Sequence, residues 1–290
     1  MTRDGFLPVY KPLGLTSQQT VLQVKKVCGG KKAGHTGTLD PAAEGLLLVA
    51  IGKATRLSEY FLSGEKGYRA QIFFGSSTDT GDREGKVIAQ VDEFVLQPKE
   101  IEKVLSQFQG SILQVPPGAS AVKIKGKRAY TLFRQGLNPE LPARQVTIYS
   151  ICSPEPLAVI TPAQPYLTLD ILCSKGTYIR SLAADIGEAL GCPAHLSALV
   201  RTSIGQITLT QAASLAELRN GYQPWLLDMA VAVSSLPKLE LSAPAATMFI
   251  QGQTLHAVCP DGEVAVFSDQ RLLGIAKALA GKIKPVKVLV

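Results

Sequence analysis

GHTGTLDPAAEGLL, residues 34–47, is the most unusual stretch of the chain and the one on which the fold turns. Three glycines, two threonines and an Asp-Pro step crowd into a loop that runs straight into the apolar run Leu46–Ile51. Such a run behind a glycine-rich turn reads as a buried strand. Asp40 precedes Pro41, whose ring pushes it away from helical backbone towards extended geometry. Its carboxylate can then project from the loop. The same two residues also fit a helix start, with Asp40 as N-cap and Pro41 at the first helical position, and local chemistry favours that reading. Nucleotide-phosphate loops are not indicated. Neither G-x-x-x-x-G-K-[ST] nor G-x-G-x-x-G occurs, and Gly52-Lys53-Ala54-Thr55 holds only a fragment of the first.

Working outward, Thr16 or Ser17 can cap a helix that carries Val21, Val24 and Cys28 on one face, and Gly29-Gly30 ends it. Residues 68–74 alternate as a strand, and Pro98–Phe108 has Ile101, Val104, Leu105 and Phe108 at helical spacing. Strand signals return at 145–152 and 165–173. Tyr178–Leu190 reads as a helix with Ile179, Leu182, Ala183 and Ile186 on one side. Arg180 falls near that apolar side and needs an anionic partner if buried. Asp79–Gly85 reads as a turn rather than a calcium loop, because the ligand spacing is wrong. Strands and helices mix without a βαβ rhythm, which predicts an α+β fold with a largely antiparallel sheet. The basic, Gly- and Pro-containing stretch 110–141 reads as a projecting insertion. A boundary is expected near residue 235, with short strands at 263–267 and 272–276 beyond it.

Composition narrows the function. The chain has 290 residues, 46% of them hydrophobic and 18% charged, and a net charge of +7. The excess suits a polyanionic partner and is concentrated in two places. Lys123, Lys125, Lys127, Arg128, Arg134 and Arg144 face only Glu140 between Ser120 and Gln145, while Lys25, Lys26, Lys31 and Lys32 precede the glycine-rich loop. No apolar run approaches the roughly 20 residues needed to span a bilayer. The N-terminal residues hold no stretch of signal-peptide type, so a cytoplasmic protein is expected. The five cysteines are odd in number and scattered, and the three histidines lack ligand spacing, so neither a disulfide framework nor a metal is expected.

Five motifs in fixed order now converge: KPLGLTS (11–17), GHTGTLDPAAEGLL, EKGYRA with Tyr68, PPGASAVKIKGKRAY (116–130) and KGTYIRSLAADIG (175–187). From Gly5 to about Gly205 the chain resembles the TruB-type tRNA pseudouridine synthases. Residues 236–290 resemble, more weakly, the small PUA-type RNA-binding module that ends those enzymes. The resemblance implies a mixed, largely antiparallel central sheet of the pseudouridine synthase type over residues 1–235, with 110–141 clamping RNA, followed by a PUA-like β domain. It also displaces the helix-cap reading of Asp40.

The implied reaction converts a uridine in the T loop of tRNA, position 55 in tRNA numbering, into pseudouridine. It is an isomerisation that needs no cofactor and no metal. Asp40 would be the nucleophile, and an ordinary aspartate is ionised at pH 7. Arg180 would hold its carboxylate. Tyr68 would stack on the uracil and is a candidate base, awkward because free tyrosine titrates near 10. The base must be flipped out of its loop, and His35 would fill the space it leaves. Tyr178 and Leu199 would line the pocket, and Lys11, Lys123 and Lys125 would contact the RNA. The expected partner is the tRNA T arm, with no membrane and no obligatory protein partner, the enzyme acting as a monomer. Alternatives are a guide-RNA-dependent synthase subunit or a tRNA-folding chaperone without catalysis. Tyr10, Ala119 and Val200 depart from the family pattern, which has Asp, an aromatic and Arg at those places.

Overall fold

The fold is seen in a computed structural model, which describes residues 4–120, 122–124, 127–137 and 141–290, with 123, 124, 127, 128 and 134 described in their backbone alone. Nine strands form the central sheet: β1 (Gly5–Lys11), β2 (Ala33–His35), β3 (Glu44–Ile51), β4 (Lys66–Phe74), β5 (Gly110–Gln114), β6 (Arg144–Cys152), β7 (Tyr166–Cys173), β8 (Ala194–Ile204) and β9 (Ile207–Thr208). Their order is β1-β3-β8-β4-β7-β6-β5, with β2 paired to β3 and β9 to β8. Every pairing is antiparallel except β3 with β8, where Glu44 lies opposite Val200 and Gly45 opposite Arg201. The sheet is the mixed, largely antiparallel one expected.

The apolar run of β3 is central because both its faces are covered, and alternate residues serve opposite sides. Leu47, Val49 and Ile51 pack with Val21, Val24 and Cys28 of helix α1 (Ser17–Val27). Leu46, Leu48 and Ala50 pack with Phe6, Phe61, Phe267 and Ile275. Helices α2 (Pro98–Phe108) and α3 (Ile179–Ala189) place Ile101, Val104, Leu182 and Ile186 over Ala70, Ile72 and Leu169 of the other half of the sheet. A second, five-stranded sheet lies between Lys238 and Val288, beside a helix at Ala243–Ile250. It meets the central sheet through the apolar cluster of Leu46 and Phe267. Polar contacts border that cluster: Lys287 pairs with Glu59 and lies 4.9 Å from the Tyr60 ring centre, and the Tyr60 hydroxyl donates to Glu263.

Two readings of the sequence meet the structure here. The helix start at Asp40, already displaced by the resemblance, does not form. The Ala43 amide donates to the Asp40 carbonyl in a single turn, and β3 begins at Glu44. The supposed insertion from Gly110 opens with β5, an edge strand of the central sheet, because Gly110–Gln114 finds a full antiparallel partner in Arg144–Ile148. Among the described residues, no helix is long and apolar enough to cross a membrane.

Candidate active site

The loop between β2 and β3 holds Asp40, and several neighbours fix its path. Gly45 sits at the loop exit with φ +103°, where an added Cβ would stand 2.5 Å from the Arg201 carbonyl oxygen, so only glycine allows β3 to approach β8 this closely. Ser17, at the start of α1, accepts from the Leu39 amide at 2.8 Å and donates to the Leu39 carbonyl at 2.9 Å. The Arg201 side chain reaches under the loop from β8. Its guanidinium donates to the carbonyls of Leu46 (2.8 Å), Thr38 (3.2 Å) and Gly37 (3.2 Å). The Gly14 amide, in the turn after β1, donates to the Pro41 carbonyl.

Lys11 braces that turn from inside. It was expected to contact RNA, but it is fully buried, and its ammonium donates to the carbonyls of Leu15 (2.7 Å) and Pro12 (3.0 Å). Burial pulls its pKa down to about 8, with Asp40 and Glu44 opposing the fall. A side chain with no exposed surface presents no donor to the outside of the molecule. Lys11 therefore shapes the turn behind the Asp40 loop.

Arg180, at the start of α3, is the hub of the site. It is 7% exposed, and its guanidinium stands between two carboxylates, Asp40 at 3.2 Å and Asp82 at 3.5 Å. Two carbonyls, Thr80 and Ala119, accept from it at 3.0 Å each. Ala119 contributes through its backbone, so its departure from the family pattern leaves this contact untouched. Asp82 is also buried, and its other oxygen accepts from the Thr80 hydroxyl (2.7 Å) and the Glu84 amide (3.1 Å). The Asp40 side chain, by contrast, is 47% exposed towards the cleft. One arginine thus has a buried carboxylate on one side and one open to the cleft on the other.

Asp40, Tyr68, Tyr178, Arg180 and Leu199 line one cleft of about 280 Å³. Lys66, Lys175 and Arg201 line it as well, leaving Asp40 as its only carboxylate among the described residues. Tyr178 is fixed by the buried Gln114 at the end of β5, whose amide group bonds both the Tyr178 amide (2.7 Å) and its carbonyl (3.1 Å). Burial raises the Tyr68 phenol pKa, with Arg201 beside it opposing the rise. His35 is half-buried on β2 and outside the cleft lining, and burial together with the field of Arg201 lowers its pKa. Tyr10 donates to Glu44 at 2.6 Å, a bond that raises its pKa to about 12. Lys125 lies outside the described residues, and of Lys123 only the backbone is described. Among the described residues no cluster of His, Cys, Asp and Glu could hold a metal ion.

Asp82, Arg201, Lys66 and Gln114 were not singled out from sequence. Asp82 sits in the segment read as a plain turn, and only its convergence with Arg180, far along the chain, reveals its part.

Comparison with known proteins gives consistent results. Residues 25–179 match the model of the TruB family pseudouridylate synthase N-terminal domain, residues 180–232 a tRNA pseudouridylate synthase B C-terminal domain, and residues 237–289 a TruB pseudouridine synthase II C-terminal domain. A tRNA pseudouridine synthase B from Symbiobacterium thermophilum is 45% identical over 257 residues, covering 89% of this chain and 83% of that one. Another from Burkholderia mallei is 41% identical over 300 residues, covering 99% and 97%. Among solved structures, a chain of an H/ACA ribonucleoprotein bound to a substrate RNA containing 2'-deoxyuridine superposes with TM-score 0.74 at 25% identity, covering 99% of this chain and 85% of that one. A chain of a Cbf5-Nop10-Gar1 complex gives 0.73 at 27% identity, with the same coverage.

Proposed function

The chain belongs to the TruB family of pseudouridylate synthases, and from that premise we propose that it isomerises uridine 55 in the T loop of tRNA, with Asp40 as the nucleophile. One observation carries the assignment of Asp40: its carboxylate is open to the cleft yet held at 3.2 Å by a buried arginine whose other side is already neutralised by Asp82. A reactive carboxylate needs this combination of access and fixed orientation.

Tyr68 and Leu199 would hold the flipped uracil, and Tyr178 would close the pocket from the start of α3. The raised pKa of Tyr68 tells against a standing phenolate, so its service as a base would require the proton to leave in concert with the reaction. His35, neutral at pH 7 given its lowered pKa, would stack in the space the uracil leaves. Lys123 and Lys125 would follow the RNA backbone, and the sheet beyond residue 235 would act as an RNA-binding module. A stand-alone enzyme is the better reading than a guide-dependent subunit. The relatives named tRNA pseudouridine synthase B match at 41–45% identity, against 25–27% for the ribonucleoprotein chains.

The test pairs an unmodified tRNA transcript with wild type and with Asp40→Asn. Wild type should form pseudouridine in the T loop without guide RNA, nucleotide or metal, and the variant should bind the transcript but give no product. Activity in the variant would end the nucleophile assignment. Product only with an added guide would favour the guide-dependent reading. Faster tRNA refolding with no product would favour a chaperone.

A further inference from the structure

Two buried cations of the cleft are not used by this mechanism. Arg201 is 1% exposed and Lys66 is 8% exposed, and among the described residues neither forms an ion pair. Lys66 donates to the Gly64 carbonyl at 2.6 Å, with those of Leu62 and Phe61 at 3.4 and 3.5 Å. Strand register gathers them on one surface. Lys66 and Tyr68 are two residues apart on β4 and so share a face, and Arg201 on β8 lies directly opposite Tyr68. Both charges therefore border the ring expected to stack on the uracil. Burying a cation without a counter-ion is costly, and carbonyl dipoles offset only part of the cost. Where such groups line a reaction cleft, they are suited to negative charge that develops during the reaction.

We propose that Lys66 and Arg201 form a cationic floor beneath the target uracil and stabilise the negative charge the ring carries during isomerisation. This rests on the synthase reading, but not on the route Asp40 takes. If the C1′–N1 bond breaks, its electron pair stays on the uracil, spread over N1, O2 and O4. If the Asp40 carboxylate instead adds to C6, the C5–C6 pair moves to the O4 enolate; C5 then attacks C1′ as the C1′–N1 bond breaks with its pair left on N1, and that pair expels the carboxylate from C6. On either route the ring is anionic before it becomes the neutral C5-linked base. C5 finally gives up its proton and N1 gains one, so no net proton or electron is consumed.

Lys66 offers the handle for a test, since burial pulls its pKa down to about 8. The groups facing it are Arg201 and Lys175, which add to the fall, and Cys173, which opposes it. Single-turnover rates would be measured with enzyme in excess over an unmodified tRNA transcript, from about pH 6.5 to about pH 9.5, the range in which a shifted lysine titrates. Wild type should slow on the alkaline side as Lys66 loses its charge. Lys66→Arg keeps the charge throughout and should lose that alkaline limb. Lys66→Met should be slower at neutral pH by about 10- to 100-fold, with transcript affinity near wild type. A limb unmoved by Lys66→Arg would belong to another group, such as Lys11, and would overturn the proposal. So would a wild-type rate in Lys66→Met, which also serves if the arginine variant does not fold. If wild type itself forms no pseudouridine, the synthase reading fails instead, and the two failures are distinct.

Discussion

Asp82→Asn probes the hub with a minimal change. It removes one charge and keeps the shape, and an asparagine oxygen can still accept from the Thr80 hydroxyl and the Glu84 amide. What is lost is attraction across 3.5 Å to Arg180. At an effective dielectric of about 20, two unit charges at that separation attract by about 4–5 kcal/mol. Arg180 keeps Asp40 and two carbonyls, so the net destabilisation should be nearer about 1.5–3 kcal/mol, the contribution of one charge-assisted hydrogen bond. The effect on rate should be larger than that figure suggests. With one side released, the guanidinium is drawn towards Asp40 and turns its carboxylate. A displacement on the order of 1 Å in a reacting group costs about 100-fold. The assay is the single-turnover rate of pseudouridine formation, measured beside the urea midpoint and the affinity for the transcript. A lower midpoint with an undiminished rate would mean that Asp82 merely supports its own turn, and the hub would reduce to Arg180 and Asp40.

Gly45→Ala should lower the melting temperature sharply or prevent folding, since both the backbone angle and the 2.5 Å approach to Arg201 exclude a Cβ; normal melting would show that β3 and β8 can separate locally at no cost. Lys11→Met should cost about 1–3 kcal/mol for each buried carbonyl left without a donor. Its pH dependence is also diagnostic: with the folded pKa near 8 and the unfolded value near 10.4, the unfolded chain binds more protons between those limits, so wild type gains stability there as pH rises. The stability gap between wild type and Lys11→Met, read from urea midpoints, should therefore widen from pH 8 to about 10.4; a constant gap would mean that Lys11 titrates normally.

Much of the frame was readable from periodicity and punctuation. The helix at 98–108 came out with its expected ends, and those at 17–27 and 179–189 within a residue or so, because each has a regular apolar stripe bounded by a cap or a glycine. The buried run of β3 announced a strand covered on both faces. Asp40 was singled out by resemblance, since local chemistry alone pointed to a helix cap. Strand order and the parallel pairing of β3 with β8 left no local trace. The burial of Lys11 was hidden for a related reason. A lysine in a turn looks solvent-exposed until the turn is seen to fold over it. Asp82 and Arg201 act on residues far away in sequence, and neither carries a motif that says so.

The cluster that joins the two sheets has a consequence for synthesis. One face of β3 rests on Phe267, Leu272, Ile275 and Leu289, which leave the ribosome more than 200 residues after β3 itself. At about 5–20 residues per second, β3 waits for them on the order of tens of seconds. During that interval Leu46 and Leu48 have no permanent cover, and a nascent strand with a bare apolar face is an aggregation hazard. Fragments that stop short of residue 262 should therefore need a chaperone or precipitate, even though every cleft residue identified above is already in place within them.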